Sequence, residues 1–242
     1  MDDHDLFQNA RFPTPTRPLL GLTILVVEDS RFAGDAMRLM CLRSGARIRR
    51  ADSLSAAERH LVVYRPSVII IDLGLPDGDG LQLIRHLNSA APRIDIILGT
   101  SGDDAADAAV RSAGADGFLS KPVANLATFQ ELILSCLPQD RQPMGPRVIN
   151  NDTIRPSDHA YKEDLSHAAE LLSDEPEEKV LDYVAQFLSG TARCAGDLAL
   201  VSASEALSIA RMQQQACRSQ VAQLAGLLQD RLNDTGGLQS RI

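Results

Sequence analysis

Short uninterrupted apolar runs alternate with stretches of helical spacing through residues 23–137, and this rhythm constrains the fold more than any other property of the chain. Thr23-Ile24-Leu25-Val26-Val27 ends in Glu28-Asp29, and helical spacing follows from Phe32 to Leu42, with Gly45 as a stop. The pattern returns four times: Ala46 to Arg50 then 54 to 64; Val68 to Ile71 then Leu81 to Leu87; Ile94 to Leu98 then Ala105 to Ala113; and Gly117 to Leu119 then Leu126 to Leu137. The second and fifth runs rest on the rhythm more than on their own composition. Apolar strands separated by helices form a parallel sheet covered on both faces, so the reading is a doubly wound α/β domain with five strands.

Proline marks the edges of this domain. Residues 1–20 hold Pro13, Pro15 and Pro18 without apolar periodicity and are expected to form a disordered or loosely docked tail. A second stretch with Pro138, Pro143, Pro146 and Pro156 interrupts any helix and is taken as a linker. The expected division is tail 1–20, α/β domain 21–138, linker 139–157 and a helical domain 158–242. The chain of 242 residues carries a formal charge of −8, with 16 basic and 18 acidic residues up to position 150 and 8 and 14 after it. An acidic balance with no Trp argues against a protein that coats nucleic acid or an anionic membrane. No apolar run has the length of a bilayer-spanning helix and the acidic start is unlike a signal peptide, so a cytoplasmic location is expected. Cys41, Cys136, Cys194 and Cys217 lack C-x-x-C spacing and are read as reduced thiols.

In a doubly wound sheet, ligands bind beyond the carboxyl ends of the strands. There the chain places Glu28 and Asp29 after the first strand, Asp72 after the third, Thr100-Ser101 after the fourth and Lys121-Pro122 after the fifth. Three crowded carboxylates repel one another unless a cation neutralises them, and a hard divalent ion such as Mg²⁺ suits oxygen donors. Lys121 is one of three lysines in the chain and the sole one before residue 150, and its point charge suits a phosphoryl oxygen. Metal, carboxylate, hydroxyl and ammonium together are equipment for phosphoryl transfer. No G-x-x-x-x-G-K-[ST] loop is present, which favours a small phosphoryl group over a nucleotide.

Residues 22–137 resemble the receiver domain of two-component response regulators. The resemblance rests on Leu25-Val26-Val27-Glu28-Asp29, on Ile71-Asp72-Leu73-Gly74-Leu75-Pro76-Asp77-Gly78-Asp79-Gly80, on Thr100, and on Gly114 through Lys121-Pro122, in that order. It implies a flavodoxin-like fold and a Mg²⁺ site made by Glu28, Asp29, Asp72 and the main-chain carbonyl of Gly74. It also implies that Asp72 accepts a phosphoryl group from a phosphohistidine of a histidine kinase or histidine phosphotransfer protein. Asp72, Lys121 and Thr100 are then the catalytic set, Thr100 and Phe118 the switch pair, and the Lys121–Pro122 bond is cis. The chain departs from the family pattern at Leu75 in place of Met, at Gly99, whose lack of a side chain suggests a bend or close approach, and at Gly74. The last offers no side chain where the family tunes the lifetime of the phosphoryl group. The Asp77-Gly78-Asp79-Gly80 stretch lacks the later ligands of a calcium loop and reads as a turn with Asp79 capping a helix.

After residue 157 the spacing is helical throughout: a helix from Asp158 to Leu172, a second from about Glu175-Pro176, and a long third opened by Ser202-Ala203-Ser204-Glu205 and reaching Leu232 before Gly236-Gly237. On the third, Leu207, Ala210, Gln214, Cys217, Val221, Leu224 and Leu228 form a heptad seam. Self-association through this seam and packing of the stripe within a small bundle are equal alternatives. His167 lacks the Lys and Gly that follow a phosphotransfer histidine and reads as a surface residue. The whole is expected to be a phosphorylatable receiver, not an enzyme, that switches the protein contacts of an acidic helical module and binds neither nucleic acid nor membrane. The competing reading is a Mg²⁺-dependent aspartyl phosphatase for a small phosphorylated substrate.

Overall fold

The computed structural model describes residues 12–145, 151–173 and 176–234. Each apolar run becomes a parallel strand of one sheet: β1 Thr23–Val27, β2 Arg47–Ala51, β3 Val68–Asp72, β6 Ile96–Ser101 and β7 Gly117–Ser120, in the order β2-β1-β3-β6-β7. Directly after β3 lies an antiparallel pair too short to show alternation, β4 Gly74–Leu75 and β5 Gly78–Asp79. The covering helices are α1 Arg31–Ser44, α2 Leu54–Val63, α3 Gly80–Ser89, α4 Asp107–Ser112 and α5 Leu126–Cys136. Ser30 caps α1 through the Ala33 N–H, and Gly45 ends that helix in the left-handed region at φ 87°. Asp79 caps α3 by accepting from the Leu81 N–H.

Alternate residues of each strand go to opposite faces, both covered at the centre of the sheet, which is why the runs of β1 and β3 are apolar without interruption, whereas β2 at the edge carries Arg47, Arg49 and Arg50. Ile24, Val26, Val68, Ile70, Ile96 and Leu98 meet Met37, Met40, Phe129 and Ile133 of α1 and α5. Leu25, Val27, Ile69, Ile71 and Ile97 meet Ala57, Leu83, Ile84 and Val110 of α2, α3 and α4. Gly99 is a place of close approach, because a Cβ there would stand 2.6 Å from Val110 Cγ1.

The carboxy-terminal region folds as four helices, α6 Asp158–Leu172, α7 Glu178–Ala195, α8 Leu198–Met212 and α9 Arg218–Asn233. They share a core of Leu165, Val184, Leu188, Leu200, Leu207, Leu224 and Leu228, which Phe32 of α1 joins. The cores of the α/β domain and the bundle therefore meet at α1, with Phe32 and Tyr161 rings 5.4 Å apart.

Four expectations are corrected. The long third helix is two helices: the chain turns at Gln213–Cys217, with Gln214 at φ 55°, and Asp197 rather than Ser202 caps α8. The break lets Leu207 from α8 and Leu224 and Leu228 from α9 enter one core, so the proposed seam for self-association is spent inside the bundle. The second helix begins at Glu178, beyond Pro176. The Pro-rich linker is docked in its later part: Asn125 and Thr153 bridge, Ile154 donates its N–H to the Ala124 carbonyl at 2.8 Å, and its side chain is buried in the core between the sheet, α1 and α5. The expected tail is likewise seated at Leu19, which is fully buried and bonds through its N–H to the Ser44 carbonyl. Residues 1–11, Pro146, Glu175 and Gly236-Gly237 lie outside the described residues. Among the described residues no helix is long and apolar enough to cross a membrane.

Candidate functional site

Sheet register brings the acidic positions to one edge. Val27 lies beside Ile71, Asp72 beside Thr100 and Thr100 beside Leu119, so the residues that follow these strands open on the same side. Carboxylate oxygens of Glu28, Asp29 and Asp72 all lie within 4.8 Å of one another. Lys121 Nζ donates to Asp72 Oδ2 at 2.8 Å and stands 2.7 Å from Glu28 Oε2. Glu28, Asp72 and Lys121 are buried. The Lys121–Pro122 bond is cis.

Burial pushes the Glu28 carboxyl up to about 8; Lys121 opposes this, while Asp72 and Asp29 add to it. Burial and the Asp72 charge push Asp29 up to about 6. Burial alone would discharge Lys121, but Asp72 and Glu28 beside it hold the ammonium well above its ordinary value. One ammonium is thus set against three carboxylates. Hard oxygen donors in mutual repulsion are a donor set for Mg²⁺, so the residues present fit such an ion.

The structure brings together Glu28, Asp29, Asp72, Gly74 and Lys121 along one cavity. It does not bring the Thr100 hydroxyl there: that group is fully buried and donates to the Leu119 carbonyl at 2.7 Å, while neighbouring Ser101 lines the cavity. Phe118 is half-buried against the face that packs on α2, α3 and α4.

Three side chains of the bundle complete the site and were not singled out from the sequence. Asp164 of α6 accepts from Ser30 Oγ at 2.7 Å, from the Arg31 N–H at 2.8 Å and from the Phe32 N–H at 3.0 Å, so a carboxylate from the bundle occupies the amino end of α1. Tyr183 of α7 donates its hydroxyl to Asp29 Oδ2 at 2.8 Å. Gln186 of α7 lines the same cavity as Asp72. The cavity has a volume of about 540 Å³. An acid on the buried stripe Ala160, Tyr161, Asp164, Leu165, Ala168 is a signal that could have found Asp164. His167 is exposed and edge-on to Phe187, at 5.9 Å between ring centroids.

Residues 24–133 match the family model described as the response regulator receiver domain. This segment is a response regulator receiver domain. Over 99 residues the chain is 35% identical to the KDP operon transcriptional regulatory protein KdpE of Escherichia coli K12, which is 41% of this chain and 44% of that protein. Over 102 residues it is 33% identical to the virulence transcriptional regulatory protein PhoP of Salmonella typhimurium strain 14028s, 42% of this chain and 46% of that one. The chain spans less than half the length of these curated relatives. A putative response regulator from Chloroflexus aurantiacus, of solved structure, is 30% identical with a TM-score of 0.42, covering 46% of this chain and 91% of that one. The matched segment ends before α6, so these matches describe the α/β domain and leave the bundle to be read from its own contacts.

Proposed function

We propose that the chain is a response regulator of a two-component phosphorelay in which residues 21–138 accept the phosphoryl group and residues 158–242 carry the response. The observation that supports this best is the grouping of Glu28, Asp29 and Asp72 around Lys121 at the carboxyl edge of the sheet. An Asp72 oxygen attacks the phosphorus of a phosphohistidine on a histidine kinase or phosphotransfer protein; the P–N bond breaks, its electron pair stays on the imidazole, and an acyl phosphate remains on Asp72. Mg²⁺, when held by Glu28, Asp29, Asp72 and the Gly74 carbonyl, supplies neutralisation of the phosphoryl oxygens. Lys121, which donates to Asp72 Oδ2, orients one of those oxygens. Thr100 leaves the Leu119 carbonyl for the phosphoryl group, and Phe118 moves with its strand.

The response passes through the docked bundle. The Asp72 carboxylate becomes an acyl phosphate carrying nearly two negative charges, a net gain of about one, beside the Tyr183–Asp29 bond and the α7 face. Docking is then weakened and a surface of the bundle is released for a protein partner, in the cytoplasm and without nucleic acid. Incubation with labelled acetyl phosphate and Mg²⁺ tests the reading: wild type takes up label towards one equivalent and Asp72→Asn takes up none. Label on the Asp72→Asn protein, or sustained turnover of an ordinary phosphomonoester such as p-nitrophenyl phosphate, overturns it. Binding of duplex DNA at physiological salt overturns the exclusion of nucleic acid.

A further inference from the structure

Gly74, two positions after Asp72, leaves a space, and another part of the chain fills it. A Cβ built on Gly74 would overlap Nε2 and Cδ of Gln186 and stand 3.0 Å from its Oε1. The carboxamide of α7 therefore occupies the place that a side chain at 74 would hold. On α7, Val184, Ala185, Phe187 and Leu188 are buried, whereas Gln186 is exposed to the cavity and its side chain makes no hydrogen bond to any described residue. Asp72 opens on the same cavity, whose volume of about 540 Å³ has room for many waters.

From this arrangement we infer that Gln186 is a catalytic residue for hydrolysis of the Asp72 acyl phosphate, a function supplied to the receiver by its own helical module. The inference rests on the phosphorylation of Asp72 proposed above. A carboxamide offers one acceptor and two donors on a rigid plane, so it can accept from a water and hold its oxygen towards a phosphorus atom. A glutamine has this task in nucleotide hydrolysis, where the attacking water needs orientation more than deprotonation. In the step, the water oxygen forms a bond to phosphorus as the bond from phosphorus to the Asp72 oxygen breaks. The electron pair returns to the carboxylate, and the water proton leaves on inorganic phosphate. Glycine at 74 leaves the line of approach open, and docking of α7 determines whether the amide is present. Release of the bundle would thus also prolong the phosphorylated state, which makes the switch self-reinforcing.

The test uses the full chain loaded with labelled acetyl phosphate and Mg²⁺, freed of donor and followed for loss of label. Gln186→Ala is expected to slow the first-order loss about 10- to 100-fold, less than a general acid or base contributes because the amide orients the water without taking its proton, with an unchanged thermal midpoint because the side chain is exposed and unbonded. Gly74→Ala, whose methyl displaces the carboxamide, slows it similarly, and the double variant is no slower than the slower single one. Loss at the wild-type rate or faster in Gln186→Ala overturns the inference and leaves the phosphorylation reading standing. Absence of label on the wild-type protein overturns both. Tyr183→Phe, which weakens docking but retains Gln186, is expected to slow the loss in the wild-type background and to add nothing in the Gln186→Ala background; further slowing there shows that docking acts without the amide and also overturns the inference.

Discussion

The receiver edge and the helical bundle both hold buried acids, and they treat them in opposite ways. At the edge, Glu28, Asp29 and Asp72 face one another with Lys121 as their one nearby ammonium. In the bundle, Asp164 accepts three hydrogen bonds, and Asp197 accepts from Arg231 Nε at 2.7 Å, Arg231 Nη2 at 3.1 Å, the Leu200 N–H at 3.2 Å and the Tyr161 hydroxyl at 3.2 Å. An acid that holds a structure is surrounded by donors; acids crowded against acids store a demand for a cation. The two regions are therefore distinguished by their partners, since burial is common to both.

If this contrast is right, removing an acid has opposite consequences in the two places. Asp164→Ala leaves the Arg31 and Phe32 N–H groups and the Ser30 hydroxyl unpaired at a buried helix end, and is expected to lower stability by about 2–3 kcal/mol. Urea unfolding measures this, and a loss below about 1 kcal/mol breaks the assignment of Asp164 as the docking residue. Asp29→Asn is expected to raise stability by about 1–2 kcal/mol at pH 7.5 without divalent ions, because a carboxyl pushed up to about 6 is held charged against its environment. The sign follows from proton counts: between the ordinary value and 6 the folded state binds more protons than the unfolded chain, so stability falls as pH rises through that window and the cost is complete above it. A destabilised Asp29→Asn protein would show that the Tyr183 and Ser30 contacts outweigh the repulsion.

Magnesium sharpens the same comparison. An ion that binds the folded chain alone stabilises it by mass action, about 2.7 kcal/mol at one hundred times its dissociation constant. Wild type should thus gain several degrees in its unfolding midpoint at millimolar Mg²⁺, and EDTA should remove the gain. Asp29→Asn should gain much less, so that Mg²⁺ narrows or reverses the order of the two proteins, whereas the deficit of Asp164→Ala should stay the same. Calorimetry that found equal gains in wild type and Asp29→Asn would remove Asp29 from the metal site.

The division between what sequence reveals and what it hides follows sequence distance. The strands, the acidic edge and Lys121 are carried by local patterns: continuous apolar runs fix the parallel sheet, and its topology then determines which strand ends are neighbours. The contacts of Asp164 with α1 and of Tyr183 with Asp29 span 132 to 154 positions, and no periodicity encodes them. The turn at Gln213–Cys217 lacks Gly and Pro and has a composition that favours helix, so tertiary packing overrode propensity there. Gly74 shows the border between the two kinds of information: the missing side chain is plain in the sequence, and its replacement by Gln186 is visible once the fold is known.

The smallest expected effect lies within the bundle. Burial alone would raise the Asp197 carboxyl, but the Arg231 guanidinium, the Leu200 N–H and the Tyr161 hydroxyl together hold it below the usual value. A depressed carboxyl contributes stability that is present above the unfolded-state value of about 3.9 and is lost as pH falls through the lower folded-state value. Arg231→Gln is expected to cost about 1 kcal/mol at pH 7, because a charge-assisted pair with Asp197 nearly buried exceeds an exposed one. That gap should be constant from pH 7 to about pH 5 and should shrink as pH falls below the ordinary carboxyl value, where the unfolded chain takes up a proton that folded Asp197 resists. Unfolding curves for the two proteins across this range decide the matter. A gap that persists undiminished at pH 3 means that the Arg231 stem, packed on the bundle, supplies the stability instead of its charge.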